Sequence, residues 1–180
     1  MRILKEDAVA VLIDIQERLF PHIYQHEQLE RNVNILLQGL QFLNIPIIIT
    51  EQYSKGLGNT IPSISGNFNP FHSIEKITFS CCDESKFLAE INRLNKKFVI
   101  LAGIETHVCV LQTVLDLLDI GFTPVLVEDC VSSRKKNDKT IAIERIKQEG
   151  AILTTYESIL LELCREAGTE TFKSISNLIK

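Results

Sequence analysis

The chain has 180 residues, 45% of them apolar and 23% charged, the balance of one globular domain over residues 1–180 rather than of a disordered chain. Its net charge is -4, from 19 basic and 23 acidic residues, and no basic run exceeds Arg134-Lys135-Lys136, which argues against a nucleic-acid partner. Apolar runs such as Phe98–Ala102 are too short to span a bilayer and Met1–Asp7 lacks a leader's apolar core, so a soluble cytoplasmic protein with no membrane partner is expected.

In chain order, Ala8–Ile13 is a continuous apolar run ending at Asp14 and reads as a buried strand. Leu29, Val33, Leu36, Leu37, Leu40 and Leu43 then recur at helical spacing, and Asn44 closes that segment. Pro46–Thr50 is the second strand. Tyr53–Ser73 is a long irregular stretch with Gly56, Gly58, Pro62, Gly66 and Pro70, and a loop of this length in a compact domain more often serves function than not. A short strand follows around Lys76–Phe79, then a helix over Asp83–Asn95. Phe98–Ile104 is a strand leading into a helix over Thr106–Ile120, which Gly121 stops. Thr123–Val127 and Ala151–Thr155 are strands on either side of a helix over Asp138–Glu149, and helices over Glu157–Ala167 and Phe172–Ile179 complete the chain. Ser132 or Ser133 is expected to cap the helix or turn before Asp138. Continuous apolar strands alternating with amphipathic helices specify an α/β protein, a Rossmann-like doubly wound parallel sheet covered on both faces.

Ligands of such sheets bind beyond the carboxyl ends of the strands. Two strand ends stand out: Asp14, and Gly103-Ile104-Glu105-Thr106. With Thr106 as N-cap, Cys109 falls in the first helical turn, where the helix dipole and free N–H groups favour thiolate and offer an oxyanion site. Asp14 is the best-placed base and Lys76 the cation that would steady the thiolate and balance a buried Asp, while Asp14 opposes the thiolate by like charge. The structural alternatives stand beside this reading: a packed helix cysteine, a capping aspartate and a surface lysine.

Gln16 and Phe20 follow Asp14 and are candidates for the pocket entrance; Gln52 and Tyr53, just past the second strand, are further pocket candidates, and His107 is a bystander or pocket-wall residue rather than a partner of Cys109. The five cysteines are odd in number and irregularly spaced, which predicts no disulfide framework, and Cys81-Cys82 reads as two packed thiols. No C-x-x-C pair and no H-E-x-x-H occur, so no metal and no cofactor are expected.

Three segments resemble the isochorismatase-like cysteine-hydrolase superfamily: Val11–Phe20, with Asp14, Gln16 and Phe20; Glu75–Ser80, with Lys76; and Leu101–Thr113, with Cys109. Thr50–Pro62 is similar to the branch of isochorismatase domain-containing proteins. The resemblance implies a three-layer α/β/α sandwich with a six-stranded parallel sheet in order 3-2-1-4-5-6. It also implies an Asp14, Lys76, Cys109 catalytic triad, a cis peptide at Ile104–Glu105, and an oxyanion site made by the N–H groups of Glu105 and Cys109. Nicotinamidases of the superfamily carry an Asp-x-His metal motif where this chain has Thr50-Glu51-Gln52, which speaks against both metal and nicotinamide. The isochorismatases of siderophore pathways lack the cysteine present here, which speaks for acyl chemistry.

The expected activity is therefore cysteine-dependent hydrolysis of a small amide, carbamoyl or related substrate through a thioester, by a homo-oligomer. The alternative is a non-enzymatic binding protein that keeps the fold and the pocket.

Overall fold

The computed structural model describes residues 1–180. Six strands form one parallel sheet in the order β3-β2-β1-β4-β5-β6: β1 (Ala8–Ile13), β2 (Ile47–Gln52), β3 (Ile74–Lys76), β4 (Phe98–Ile104), β5 (Thr123–Ser132) and β6 (Ile152–Thr154). The helices are α1 (His26–Phe42), α2 (Ser54–Leu57), α3 (Pro62–Ser65), α4 (Ser85–Leu94), α5 (Leu111–Asp119), α6 (Lys136–Gln148), α7 (Tyr156–Cys164) and α8 (Glu170–Leu178). A π-turn over Thr106–Val110 leads into α5.

Side chains alternate across a strand, so a strand that is apolar throughout builds two cores. Ala8, Ala10 and Leu12 join the core containing Leu29, Val33, Leu36 and Leu40 of α1, Ile159 and Leu160 of α7 and Ile175 of α8. Val9, Val11 and Ile13 face Phe87 and Ile91 of α4, Val114 and Leu117 of α5 and Ile146 of α6. These two layers on the sheet are the α/β/α sandwich expected from the strand pattern.

Helix ends follow the predicted punctuation. Asn44 takes a left-handed φ of 57° just after α1, and Gly121 and Gly150 take φ of 89° and 105°; Asn95, read as the last residue of its helix, instead ends α4 with a left-handed φ of 50°. Four details depart from expectation. The third strand ends at Lys76 rather than running to Phe79, because the Lys76 ammonium draws the carbonyls of Thr78 and Phe79 around itself. The fifth strand continues to Ser132, with a register shift against β4 between Leu101 and Gly103. Neither serine caps α6: Ser132 Oγ donates to Tyr24 O, Ser133 Oγ meets His107 Nδ1, and Lys135 precedes the helix without a side-chain cap. The long stretch after Tyr53 contains α2, α3 and a cis Asn69–Pro70 bond.

The chain lays β2 and β3 on one side of β1 and then β4, β5 and β6 on the other, so the order reverses between β1 and β4. Gly103 marks this reversal: it pairs with Ile13, its φ is +123°, and a Cβ there would lie 2.1 Å from the Ile13 carbonyl oxygen. Only glycine lets β4 approach β1 so closely just before Asp14.

Candidate active site

Asp14 closes β1 with a φ of 53°, its N–H donating to Thr50 O at 3.2 Å. This left-handed step turns its side chain toward β2, where Thr50 Oγ1 donates to Asp14 Oδ1 at 2.7 Å. Lys76 Nζ donates to Asp14 Oδ2 at 2.6 Å. Both side chains are out of solvent, at 1% and 0% exposure. An ion pair in such a place costs desolvation unless its remaining donors are used. They are used: Lys76 Nζ also reaches Gln52 Oε1 at 2.9 Å, Phe79 O at 3.1 Å and Thr78 O at 3.2 Å. The residue that composition would place on the surface is thus one of the most buried side chains in the chain, held by the turn that follows β3.

Cys109 lies in the π-turn, with its Sγ 4.0 Å from Gln52 Oε1. It lines a cavity of about 230 Å³ together with Asp14, Gln52, Glu105 and Arg134, and the apolar side chains of Leu19, Leu57, Phe79 and Val108. The structure thus brings Asp14, Lys76 and Cys109 to one place. Thr106 is not the N-cap: the turn begins with it, Glu105 precedes it in extended conformation, and the buried Thr106 Oγ1 has no partner.

The expectation of a thiolate at rest is not met. Burial pushes the Cys109 thiol well above its ordinary pKa, the Asp14 charge adds to this, and Lys76 only partly offsets it. Desolvation dominates because the thiol is 7% exposed, and the neighbouring Asp14 charge favours the protonated form. The resting site is therefore a thiol beside a carboxylate–ammonium pair.

The Ile104–Glu105 peptide is cis. Among backbone hydrogen bonds outside the regular elements, none uses the Glu105 N–H, which leaves that donor free for a ligand oxygen. The Glu105 carbonyl accepts from Val108 N and Val110 N, and its carboxylate accepts from Arg134 N at 3.0 Å and Arg134 Nε at 3.1 Å. Arg134 was not among the sequence candidates; its sequence signal was only a short basic run, and its pairing to Glu105 across 29 residues could not be seen there.

The other candidates separate. Gln52 lines the cavity and touches Lys76. Gln16 lies beneath it, fully buried, its amide joined to Gln52 N, Gln52 O and Gly58 O. It fastens the loop that carries Leu57 instead of lining the entrance. Phe20 packs in the core edge-on to His26, away from the cavity. Tyr53, half exposed, begins the loop with its N–H on Lys76 O. His107 stands behind Glu105, with Nδ1 3.0 Å from Ser133 Oγ and 4.0 Å from Glu105 Oε2. Glu51 points into the loop, Oε1 taking Thr60 N and Oγ1 and Oε2 taking Ser73 Oγ. No group of three or more His, Cys, Asp or Glu side chains is placed to hold a metal ion.

The isochorismatase domain family matches residues 8–158. Isochorismatase domain-containing protein 2 of Danio rerio is 38% identical over 178 residues, covering 99% of this chain and 89% of its own. A solved structure described as the MAR1 ribonuclease of Caenorhabditis elegans is 35% identical with a TM-score of 0.92, covering 99% of this chain and 92% of that one. The Escherichia coli YcaC structure, described as an octameric hydrolase of unknown specificity, is 26% identical with a TM-score of 0.93, covering 99% of this chain and 89% of that one.

Proposed function

The chain belongs to the isochorismatase-like cysteine-hydrolase superfamily, and on that premise we propose that it hydrolyses a small amide, carbamoyl or related carbonyl substrate through a thioester on Cys109. The observation that carries this is the buried Asp14–Lys76 pair beside the Cys109 thiol on the wall of one cavity. Three roles follow from it. Asp14 takes the thiol proton as Sγ attacks the carbonyl carbon, which resolves a resting state in which the thiol is protonated. Lys76 balances the site's charge and fixes the orientation of Asp14. The N–H of Glu105, joined by that of Cys109, receives the developing oxyanion. Collapse breaks the C–N bond, and the amine leaves with the proton that Asp14 took. Water then attacks the thioester, its proton returns through Asp14 to sulfur, and the acid departs.

The substrate is a small molecule rather than a nucleic acid. The chain's charge is -4, and Arg134 at the cavity wall is already paired with Glu105. A cavity of about 230 Å³ with Leu19, Leu57, Phe79 and Val108 on its walls suits a compact substrate with an apolar part. The reaction needs no metal or cofactor in this reading, and the likeness to an octameric hydrolase supports a homo-oligomer. No helix is long and apolar enough to cross a membrane. The chain is read as one hydrolase domain over residues 1–180, working in the cytoplasm.

The test is a mass-spectrometric screen of small amides and carbamoyl compounds against the wild type and Cys109→Ala. A substrate consumed only by the wild type, with an acyl adduct trapped on Cys109, supports the reading. A substrate turned over equally by both proteins would refute it.

A further inference from the structure

The mechanism leaves a buried cluster below the cavity unused: Cys81, Thr113 and Thr50, each fully buried. Thr113 lies on α5, one turn after Cys109, and its Oγ1 donates to Cys109 O at 2.7 Å. A threonine hydroxyl commonly bonds back to the carbonyl four residues earlier, so that contact alone means little. Its second use is the unusual one. The same oxygen accepts from Cys81 N at 3.0 Å, across 32 residues of sequence. Cys81 ends the turn whose carbonyls at Thr78 and Phe79 hold the Lys76 ammonium. Its thiol lies 3.9 Å from Thr50 Oγ1, which holds Asp14. One hydroxyl therefore joins the backbone of the nucleophile to the segment that carries the cation.

We propose that Thr113 is a positioning residue: by linking Cys109 O to Cys81 N it fixes the distance between the Cys109 sulfur and the Lys76 charge. The inference rests on the reading of Cys109 and Lys76 above. A thiol that is protonated at rest and set beside one cation is sensitive to that distance, since the cation's field is the main influence favouring ionisation. A buried N–H at Cys81 has no other partner to hold the turn in place if the hydroxyl is removed.

The probe is iodoacetamide, applied to the full chain between pH 6 and 10, with Cys109 labelling followed by peptide mass spectrometry. Lys76→Met should slow labelling at pH 8 about tenfold, the effect of one unit in the thiol pKa. Thr113→Val should slow it about threefold and displace the profile to higher pH, while Thr113→Ser, which keeps the hydroxyl, should follow the wild type. In a Lys76→Met background, Thr113→Val should add nothing, because the charge it positions is gone. Thr113→Ala, which leaves room for water, carries the same comparison if the valine variant does not fold. The inference is overturned if Thr113→Val leaves the profile in place while Lys76→Met moves it, if serine fails to rescue, or if the threonine effect persists undiminished without Lys76. An unmoved profile in Lys76→Met sinks the reading of the site itself, and the role of Thr113 with it.

Discussion

Lys76 Nζ and Asp14 Oδ2 lie 2.6 Å apart with neither side chain open to solvent, so each charge depends on the other for its place in the fold. Removing one partner of such a pair leaves an uncompensated buried charge and costs about 3–5 kcal/mol. Asp14→Asn strands the ammonium among Gln52 Oε1 and two carbonyls; Lys76→Met strands the carboxylate with Thr50 alone. The double variant removes both charges. Urea unfolding should find it at least about 2 kcal/mol more stable than the sum of the two losses implies. Additive losses would mean that the two charges do not hold each other in solution.

The same pair acts on the thiol in opposite senses. Asp14 holds Cys109 protonated by its charge, whereas Lys76 favours the anion. Alkylation follows the thiolate fraction, so wild-type labelling of Cys109 should still be rising at pH 9 instead of reaching a plateau near neutrality. Asp14→Asn should shift the profile to lower pH while abolishing turnover, and Lys76→Met should shift it to higher pH. Movement of both variants in one direction would break the assignment of the two charges.

Gly103 ties the fold to the site. A methyl group there meets the backbone oxygen and nitrogen of Ile13 at 2.1 and 2.6 Å, and a backbone cannot swing aside as a side chain can. The φ of +123° adds its own penalty for any other residue. Gly103→Ala should therefore lose about 3 kcal/mol or more and displace Asp14, which follows Ile13 directly. A variant with wild-type stability and wild-type labelling of Cys109 would show that β1 and β4 are not so closely set.

How much of this was legible beforehand depends on the range of each interaction. The strands of the sheet centre were plain because burial on both faces makes the pattern of Ala8–Ile13 and Phe98–Ile104 continuous and local. Asp14 and Cys109 were legible as residues at strand ends. Lys76 was expected to balance a buried Asp, and it pairs with Asp14 62 residues away; what the sequence did not reveal was how its remaining donors are met, by Gln52 Oε1 and the carbonyls of Thr78 and Phe79. The protonated state of Cys109 was misjudged because the helix terminus is local and visible, whereas the cavity wall that desolvates the thiol is assembled from five segments. Phe20 and Gln16 show a further limit. Both follow Asp14 closely, yet one packs into the core and the other fastens a loop, and sequence distance from Asp14 does not separate these outcomes.

Glu51 occupies the segment where metal-dependent relatives of the nicotinamidase kind place ligands, but its oxygens already accept from Thr60 and Ser73. Turnover that depends on Cys109 should survive extensive chelation, and elemental analysis should find no stoichiometric zinc. About one zinc per chain, with activity lost on its removal and restored on its return, would reverse this.

The buried thiols make alkaline pH a test of the core. Burial raises the pKa of Cys81 to about 11 and that of Cys82 to about 12, and burial followed by the Asp129 charge holds Cys130 well above the thiol range. In the unfolded chain the same groups ionise near the ordinary value of about 8.5. Above that pH the unfolded state has lost protons that the folded state keeps, so the unfolded state binds fewer protons and stability falls as pH rises. The stability these groups contribute is thus complete below about pH 8.5 and is lost progressively up to the folded-state values. Each buried thiol steepens the decline by about 1.4 kcal/mol per pH unit. Cys130 is the cleanest probe because it lies in the core and outside the cavity. Cys130→Ala should lower stability at pH 7 through lost packing, yet flatten the decline between pH 9 and 10 by about that one increment. Parallel declines in the variant and the wild type would mean that Cys130 reaches solvent in the folded protein.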